Sequence, residues 1–421
     1  MTAPEMISMG CRLNIAESET LRQNLAASQV DGEKLIIVNS CAVTNEAVRQ
    51  TRQAIRRAKK ANPDKDIIVT GCAAQVDPAM FAAMPETSAV VGNSDKYDAA
   101  NFKLGLQSNR PDIRVSDIMR VTETAPHMFS AFADRSRAFV EIQNGCDHRC
   151  TFCIIPFGRG NSRSVPAGLV IDQVRALVDQ GFQEVVLTGV DVTSYGPDLP
   201  GEPTLGMLIE RILKHVPNLP RLRLSSVDGI EIDDRLFDLI TGEARLMPHV
   251  HLSLQSGDNL ILKRMKRRHS REQAIALVER LKSRRPDIAI GADIIAGFPT
   301  ETDAMFANSQ SIIEQCDVVH GHIFPYSPKQ GTPAAKMPQV DGHVIKERAK
   351  ILRTTVERRA HQWRVTLIGS RQKVLTEMSG NEGYAENFAR VRFDAAGRKG
   401  EVMSVEITGV QEKQLIGRVI A

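Results

Sequence analysis

Residues 144–160, NGCDHRCTFCIIPFGRG, decide how this chain is read. Cys146, Cys150 and Cys153 form a C-x3-C-x2-C run closed by Ile154, Ile155 and Pro156, so three soft thiolates converge in one tight loop and a fourth cannot. A metal held there keeps one coordination position open. Thiolates select both zinc and iron–sulfur clusters, and structural sites of both kinds usually recruit four protein ligands. His148 could complete a Cys3His zinc site, although it stands between two of its co-ligands and no other Cys or His follows within reach.

On the N-terminal side, short apolar runs at residues 5–9, 35–39 and 66–70 end in small polar or glycine residues, with helical periodicity at 20–27 and Asn45–Ala61. This βαβ alternation predicts a parallel sheet. Cys11, Cys41 and Cys72 follow the three runs at separations of 30 and 31 residues. One βα unit returns the chain to the same sheet edge, so the three thiols are expected at the carboxyl edge, where open α/β folds bind ligands. An isolated cysteine is more often a small buried hydrophobe. That reading does not predict Gly-Cys or Ser-Cys after successive strands, and Gly10 and Gly71 permit close approach of backbone to a cluster.

On the other side the pattern weakens after Tyr97, and residues 108–126 read as a linker with a boundary near Pro126. From Ala138 apolar runs recur at 138–142, 184–187, 222–224, 250–254, 288–295 and 318–324, separated by helical segments such as 167–180, 204–215, 270–283 and Asp303–Gln315. Six βα units imply an incomplete barrel with its chemistry at the carboxyl ends of the strands. Cys146 lies at the first such end, Gly189 and Asp191 at the second, Gln255 at the fourth and Gly297 at the fifth. The glycines leave room for a flat ligand, and polar neighbours can orient ribose or carboxylate. Gly and Asp also populate such turns without any ligand.

A charged helix over 341–365 gives way to alternating segments at 371–378, 389–393, 401–408 and 415–420, the pattern of a small β-barrel with Arg390 and Arg392 facing out. Residues 263–271 carry a basic run, ordinarily a solvated face and a phosphate contact if the partner is nucleic acid. Arg159 and Arg163 suit a base or cofactor carboxylate by position and charge. Cys316 reads as packing.

At 421 residues the chain is long enough for two or three domains, and 42% apolar with 25% charged residues describes a globular protein rather than a disordered one. No run approaches the ~18 apolar residues of a membrane span. The opening MTAPEMISMG lacks the marks of a signal peptide, so a cytoplasmic location is expected. There seven cysteines point to metal or catalysis rather than disulfides, and a net charge of +4 permits a nucleic-acid partner.

The cysteine loop resembles the signature of the radical S-adenosylmethionine enzymes. With ISMGCRLN around Cys11, VNSCAVTNEA around Cys41 and VTGCAAQ around Cys72, the chain resembles the methylthiotransferase family over nearly its whole length. The resemblance implies an α/β protein: a flavodoxin-like parallel-sheet domain over 1–125, a partial (β/α)6 radical SAM barrel over 126–365 and a TRAM-like RNA-binding barrel over 366–421. It also implies two 4Fe-4S clusters. One sits on Cys146, Cys150 and Cys153 with S-adenosyl-L-methionine on its fourth iron, and the other on Cys11, Cys41 and Cys72. Gly189, Asp191, Gln255 and Gly297 become cofactor contacts. Members of the family modify isopentenyladenosine or threonylcarbamoyladenosine in tRNA, or an aspartate of a ribosomal protein. SCAVTNEAVRQTRQ, LTGVDVTSYG and LSSVDGIEID are most similar to the threonylcarbamoyladenosine branch. The implied partners are tRNA, an electron donor such as flavodoxin or ferredoxin, and a sulfur source, for a monomer without a membrane anchor. A non-catalytic zinc-containing RNA-binding protein is the reading from a different class.

Overall fold

The computed structural model describes residues 3–28, 30–103, 111–122, 136–377, 379–394 and 397–420. The boundary expected near Pro126 and the strand end expected at Met378 lie outside the described residues.

Strands β1 (Glu5–Ser8), β2 (Leu35–Ser40), β3 (Asp66–Gly71), β4 (Ala89–Val91) and β5 (Asp112–Arg114) form one parallel sheet. β2 is buried along its whole length, as a strand covered on both faces must be. Helix α1 (Arg12–Ala26) packs Leu21 and Leu25 on Ile37 and Ile68, while α2 (Asn45–Ala61) packs Ile55 on Ile36, Val38, Ile67 and Val69 of the opposite face. The parallel sheet is the expected one, with a different strand order. The order is β1-β2-β3-β4-β5, without the reversal of a flavodoxin-like 2-1-3-4-5 sheet. Three neighbouring strands at ~4.8 Å spacing therefore carry the three cysteine-bearing ends side by side.

Two expectations are corrected. Helix α1 starts at Arg12, not near residue 20, because Asn14, Glu17 and Ser18 are buried on its inner face and mask the apolar period. Part of the supposed linker is structured: β5 extends the sheet, and a 3-10 turn, Ile118–Arg120, follows it. An exposed three-residue edge strand leaves little periodic signal.

The short helices α3 (Cys72–Val76) and α4 (Pro78–Ala82) precede β4. The central unit is built from β6 (Ala138–Asn144), β7 (Arg163–Ser164), β8 (Glu184–Gly189), β9 (Arg221–Leu224), β10 (Ser226–Val227), β11 (His249–Gln255), β12 (Ala289–Ala296) and β13 (Val318–Pro325). They pair as β7-β6-β8-β9 and β10-β11-β12-β13, with only Ser225 between the two sheets, so the parallel strands curve as one incomplete barrel. Its helices are α5 (Ile155–Arg159), α6 (Ala167–Asp179), α7 (Leu205–His215), α8 (Asp234–Gly242), α9 (Asn259–Arg264), α10 (Arg271–Arg284), α11 (Asp303–Gln315) and α12 (Gly342–Thr366). Val250, Leu252 and Leu254 of β11 pack with Ala274, Val278 and Leu281 of α10. Strand alternation therefore turns His249, His251 and Ser253 to the concave side. Ala16 of α1 joins the same core cluster as Ala138 and Ile142, so the N-terminal helix lies against the barrel.

Strands β14 (Arg371–Thr376), β15 (Glu382–Ala385), β16 (Arg390–Phe393), β17 (Val402–Gln411) and β18 (Gln414–Val419) close into a barrel in the order β14-β15-β16-β18-β17. Trp363 of α12 and Val319 of β13 belong to its core, with Val374, Val391 and Val405. Arg390 is exposed and Val391 and Phe393 are buried, as the alternation predicts. No helix among the described residues is long and apolar enough to cross a membrane.

Glu184 fastens this barrel to the central unit. It is fully buried, with Arg221 and Arg223 each 3.0 Å away. Arg223 also donates to the Glu386 carbonyl at 3.1 Å. Burial opposes the charge of Glu184, but Arg223, Arg221 and Arg137 together hold its pKa down to about 2, against an ordinary 4.5. A depressed carboxylate stabilises the fold above its unfolded pKa, and that contribution disappears as pH falls from 4.5 toward 2. Glu184→Gln should therefore cost about 3 kcal/mol at pH 7 and flatten the loss of stability across that acid window in urea denaturation. An unchanged acid limb in the variant counts against this assignment.

Candidate active site

The loop bearing Cys146, Cys150 and Cys153 follows β6 and is held from several sides. Gly145 has φ +72°, and a Cβ there would stand 1.8 Å from the Asn161 carbonyl oxygen, so only glycine permits this turn. Cys146 N–H donates to the Gly160 carbonyl (3.1 Å), and Cys153 N–H to the Cys150 carbonyl (3.0 Å). Thr151 N–H donates to the Met265 carbonyl (3.1 Å) and its hydroxyl to the Arg264 carbonyl (2.8 Å), which anchors the loop to α9.

All three thiols are half-buried and unbridged. Burial, then the Asp191 charge, pushes Cys146 far up, and burial raises Cys153 to about 11. Ionisation here is favoured only with a metal to receive the thiolates. His148 does not complete the set. Its Nε2 lies 2.9 Å from Asp191 and 3.6 Å from Glu231, and these acceptors lift the imidazole to about 10. Three thiolates with a vacant position suit an iron–sulfur cluster carrying an exogenous ligand better than a closed zinc site. Beyond β9, Ser225 Oγ and Asp228 Oδ1 are buried without hydrogen-bond partners among the described residues, and Asp228 meets Arg267, which lies 3.7 Å from the Cys150 sulfur.

Cys11 is exposed just before α1, Cys41 is buried after β2, and Cys72 is buried at the start of α3. Gly10 has φ +89°, and a Cβ on it would come within 2.8 Å of the Cys41 sulfur. Burial raises the Cys41 thiol to about 11, with repulsion from Cys72 and Cys11 adding to the effect, so the three sulfurs share one neighbourhood. This triad abuts the other loop. A Cβ on Gly158 would stand 3.2 Å from the Cys72 Cβ, and the Arg159 Nε donates to Cys72 Sγ at 3.1 Å.

Arg159 is not positioned as a ligand contact, which corrects its reading from sequence. It is 2% exposed and donates to Glu17 Oε1 (2.7 Å), Asn14 Oδ1 (2.6 Å) and Asn144 Oδ1 (3.0 Å). Lys96, also fully buried, lies 2.8 Å from Glu17 Oε2. Arg163 is spent on the carbonyls of Arg159 and Asn161. The basic run is corrected as well. Arg264 bonds Thr300, Arg267 and Arg268 bond Asp228, and Arg271 bonds the Gly257 carbonyl and Gln315, so that Lys263, Lys266 and the paired Arg268 are its exposed charges. These arginines brace the loops at the strand ends.

Of the suggested cofactor contacts, Asp191 reaches the cysteine loop, 3.8 Å from the Cys146 sulfur, with its N–H held by Gln143 Oε1 at 2.8 Å. Gln255 ends β11 with φ +66°, a strained conformation for a residue with a side chain. At Gly189 and Gly297 the space that a side chain would enter is filled by protein. A Cβ on Gly189 would meet the Gln143 carbonyl at 2.6 Å, and one on Gly297 would meet Ile345 at 2.6 Å, so protein packing explains both glycines.

Sequence reading missed Glu17, Lys96 and Asn14, which look like surface residues of a helix and a turn. It also missed a cluster inside the barrel, where Asp293 Oδ1 bonds His251 (3.1 Å) and His322 (3.2 Å). The His-x-His pairs at 249–251 and 320–322 were its available signal.

Two cysteine triads on adjoining α/β units, one loop with an open metal position, define an iron–sulfur enzyme of the radical SAM class. Residues 140–311 match the radical SAM superfamily, and residues 5–92 match the uncharacterized protein family UPF0004. The chain is 51% identical to the threonylcarbamoyladenosine tRNA methylthiotransferase MtaB of Rickettsia prowazekii, over 97% of this chain and 95% of that one. It is 34% identical to the MtaB of Bacillus subtilis over 95% and 92%, and 30% identical to the tRNA-2-methylthio-N(6)-dimethylallyladenosine synthase of Roseobacter denitrificans over the full length of both. Among solved structures, the radical S-adenosylmethionine methyltransferase TsrM of Kitasatospora setae shares the fold, with a TM-score of 0.53 at 16% identity over 77% of this chain and 69% of that one. The chain belongs to the radical SAM tRNA methylthiotransferase family, whose superfamily binds a 4Fe-4S cluster and S-adenosylmethionine.

Replacing Arg159 by Met strands Glu17 with Lys96 as its remaining cationic partner. The variant should lose about 3–5 kcal/mol of stability in urea denaturation. A loss below about 1 kcal/mol, the range of a solvent-exposed pair, would show that the network does not join the two units.

Proposed function

We propose that this chain transfers a methylthio group to C2 of threonylcarbamoyladenosine next to the anticodon of tRNA. The observation that carries the reading is the abutment of Cys72 and the cysteine loop through Gly158 and Arg159, which sets two thiolate triads at one site. The full-length similarity to the Rickettsia and Bacillus proteins supports the substrate.

A hydrogen on an aromatic ring carbon is not acidic, so side-chain acid–base catalysis cannot remove it, and cofactors must carry the step. Cys146, Cys150 and Cys153 would hold a 4Fe-4S cluster with S-adenosylmethionine, which would supply the radical, and Cys11, Cys41 and Cys72 would hold a second 4Fe-4S cluster, which would supply the sulfur. The protein's part is position and shielding. Gly145 and Thr151 fix the loop, and Arg159 holds Cys72 against it. Asp191 and Gln255 orient the cofactor, while Gly189 and Gly297 bring backbone to its edge. The strand ends of the barrel exclude water from the reacting atoms.

In this reading residues 1–125 carry the sulfur-bearing cluster, 126–365 the radical machinery and 366–421 an RNA-binding barrel. The protein works as a cytoplasmic monomer, served by a flavodoxin or ferredoxin and by a sulfur source.

Anaerobically purified protein should be brown, with about eight irons and eight sulfides per chain. Replacing Cys41 and Cys72 by Ala should reduce this to about four. Retention of all the iron in that double variant excludes the second cluster. Deleting the gene should abolish the methylthio-threonylcarbamoyladenosine peak in tRNA nucleoside mass spectra, and a persisting peak in a strain without a redundant enzyme rules out the substrate.

A further inference from the structure

Arg12 follows Cys11 directly and opens α1, yet its side chain makes no hydrogen bond or ion pair among the described residues. Its guanidinium lies over the ring of Phe388, 5.4 Å from the centroid. Phe388 is also approached by Arg223 at 4.8 Å and Arg137 at 5.6 Å, and it stacks on Tyr384 at 4.8 Å. Residues of all three units therefore meet at one aromatic ring. Phe388 has φ +68°, a strained backbone for an aromatic residue that the surrounding structure must enforce.

The charges here do not balance. Four guanidiniums, those of Arg12, Arg137, Arg221 and Arg223, converge on this end of the chamber. Glu184 pairs Arg221 and Arg223, Glu377 pairs Arg137, and the charge of Glu386 acts on Arg221. Among the described residues, three carboxylates answer four cations, and Arg12 is the one left over. His249 and His320, which also face Phe388, are held neutral by burial and contribute no anion. Arg12 is half-buried beside Arg137 and Arg223, and a cation so placed is stabilised by an anion that joins it.

We infer that Arg12, backed by Arg223 and Phe388, binds the carboxylate of the threonylcarbamoyl group and so selects the substrate. This rests on the functional reading above. The threonylcarbamoyl group carries one carboxylate, matching the single unanswered cation, with a small apolar portion to lie on the ring. A dimethylallyl group is a hydrocarbon and would leave Arg12 unpaired, so the same feature rejects the substrate named for the Roseobacter relative. Arg12 also adjoins Cys11, which places a nucleoside held by its side group beside the sulfur-bearing triad.

The test uses cluster-loaded protein and three anticodon stem–loop RNAs carrying threonylcarbamoyladenosine, its methyl ester, or unmodified adenosine. Wild type should bind the free acid about tenfold or more tightly than the ester, since a charge-assisted bond is lost. Arg12→Gln should bind acid and ester alike while keeping its iron content and visible spectrum, and Arg12→Lys should recover part of the preference. Equal binding of acid and ester by wild type, or an undiminished preference in Arg12→Gln, overturns the inference. Equal binding of all three RNAs by wild type, with tightness set by salt alone, assigns Arg12 to backbone phosphate instead and overturns it too. The ester arm needs no variant, so it stands even where substitution beside Cys11 disturbs the cluster. Wild type that forms no methylthio product on any RNA defeats the functional reading itself, whereas product formed equally on acid and ester defeats only the role given to Arg12.

Discussion

One buried guanidinium holds the N-terminal sheet and its helix to the barrel. Arg159 ends the short helix after the cysteine loop, is 2% exposed, and spends its donors on Glu17, Asn14, Asn144 and the Cys72 sulfur. A charge that deep survives only with its partners in place. The N-terminal sheet therefore cannot swing from the barrel without leaving Glu17 and Arg159 stranded. Lys96 reinforces the constraint from a second direction, and Asn93 donates to the Gly158 carbonyl at 2.7 Å. The polar face of α1 follows from this demand. Asn14, Glu17 and Ser18 are buried because the helix must present charge and amide to the barrel as well as Leu21 and Leu25 to its own sheet.

The same economy governs the barrel interior. Its outward face is aliphatic and packs on helices, while its concave face carries Glu184, Arg223, His249, His251 and Asp293. Such groups are tolerated where each satisfies another, as Asp293 does by accepting from two imidazoles that hold its carboxyl well below the usual range. A polar chamber closed by neighbouring units suits an enzyme that must admit a charged nucleoside and keep bulk water from a reactive centre.

Much of this was legible in the sequence, for reasons that differ between elements. The cysteine loop could be read because thiolate spacing is a property of the local chain. The parallel sheet could be read because β2 and β3 are continuous apolar runs, and the C-terminal barrel because Ala389 to Phe393 alternates. The start of α1 was hidden, since helical periodicity tracks hydrophobicity and its inner face is polar. Arg159 and the run at 263–271 were misjudged for a related reason. An arginine looks solvent-bound until the carbonyl or carboxylate waiting for it, distant in sequence, comes into place. Gly189 and Gly297 carry a demand that sequence does not show, since Gln143 and Ile345 fill the space a side chain would need there.

The division also says where substrate specificity can reside. In the proposed reading the cysteine motifs and their glycines answer to the clusters, whichever nucleoside is modified. Residues fixed by a common demand cannot distinguish one nucleoside from another. Discrimination must come from side chains that the clusters leave free, close enough to reach a group on the purine's N6. The role inferred for Arg12 sets this at the junction of α1, β9 and the turn after β15, where among the described residues one guanidinium has no carboxylate partner. An enzyme whose sheet and two barrels meet at one junction can retune a contact there while leaving the cysteine loops untouched.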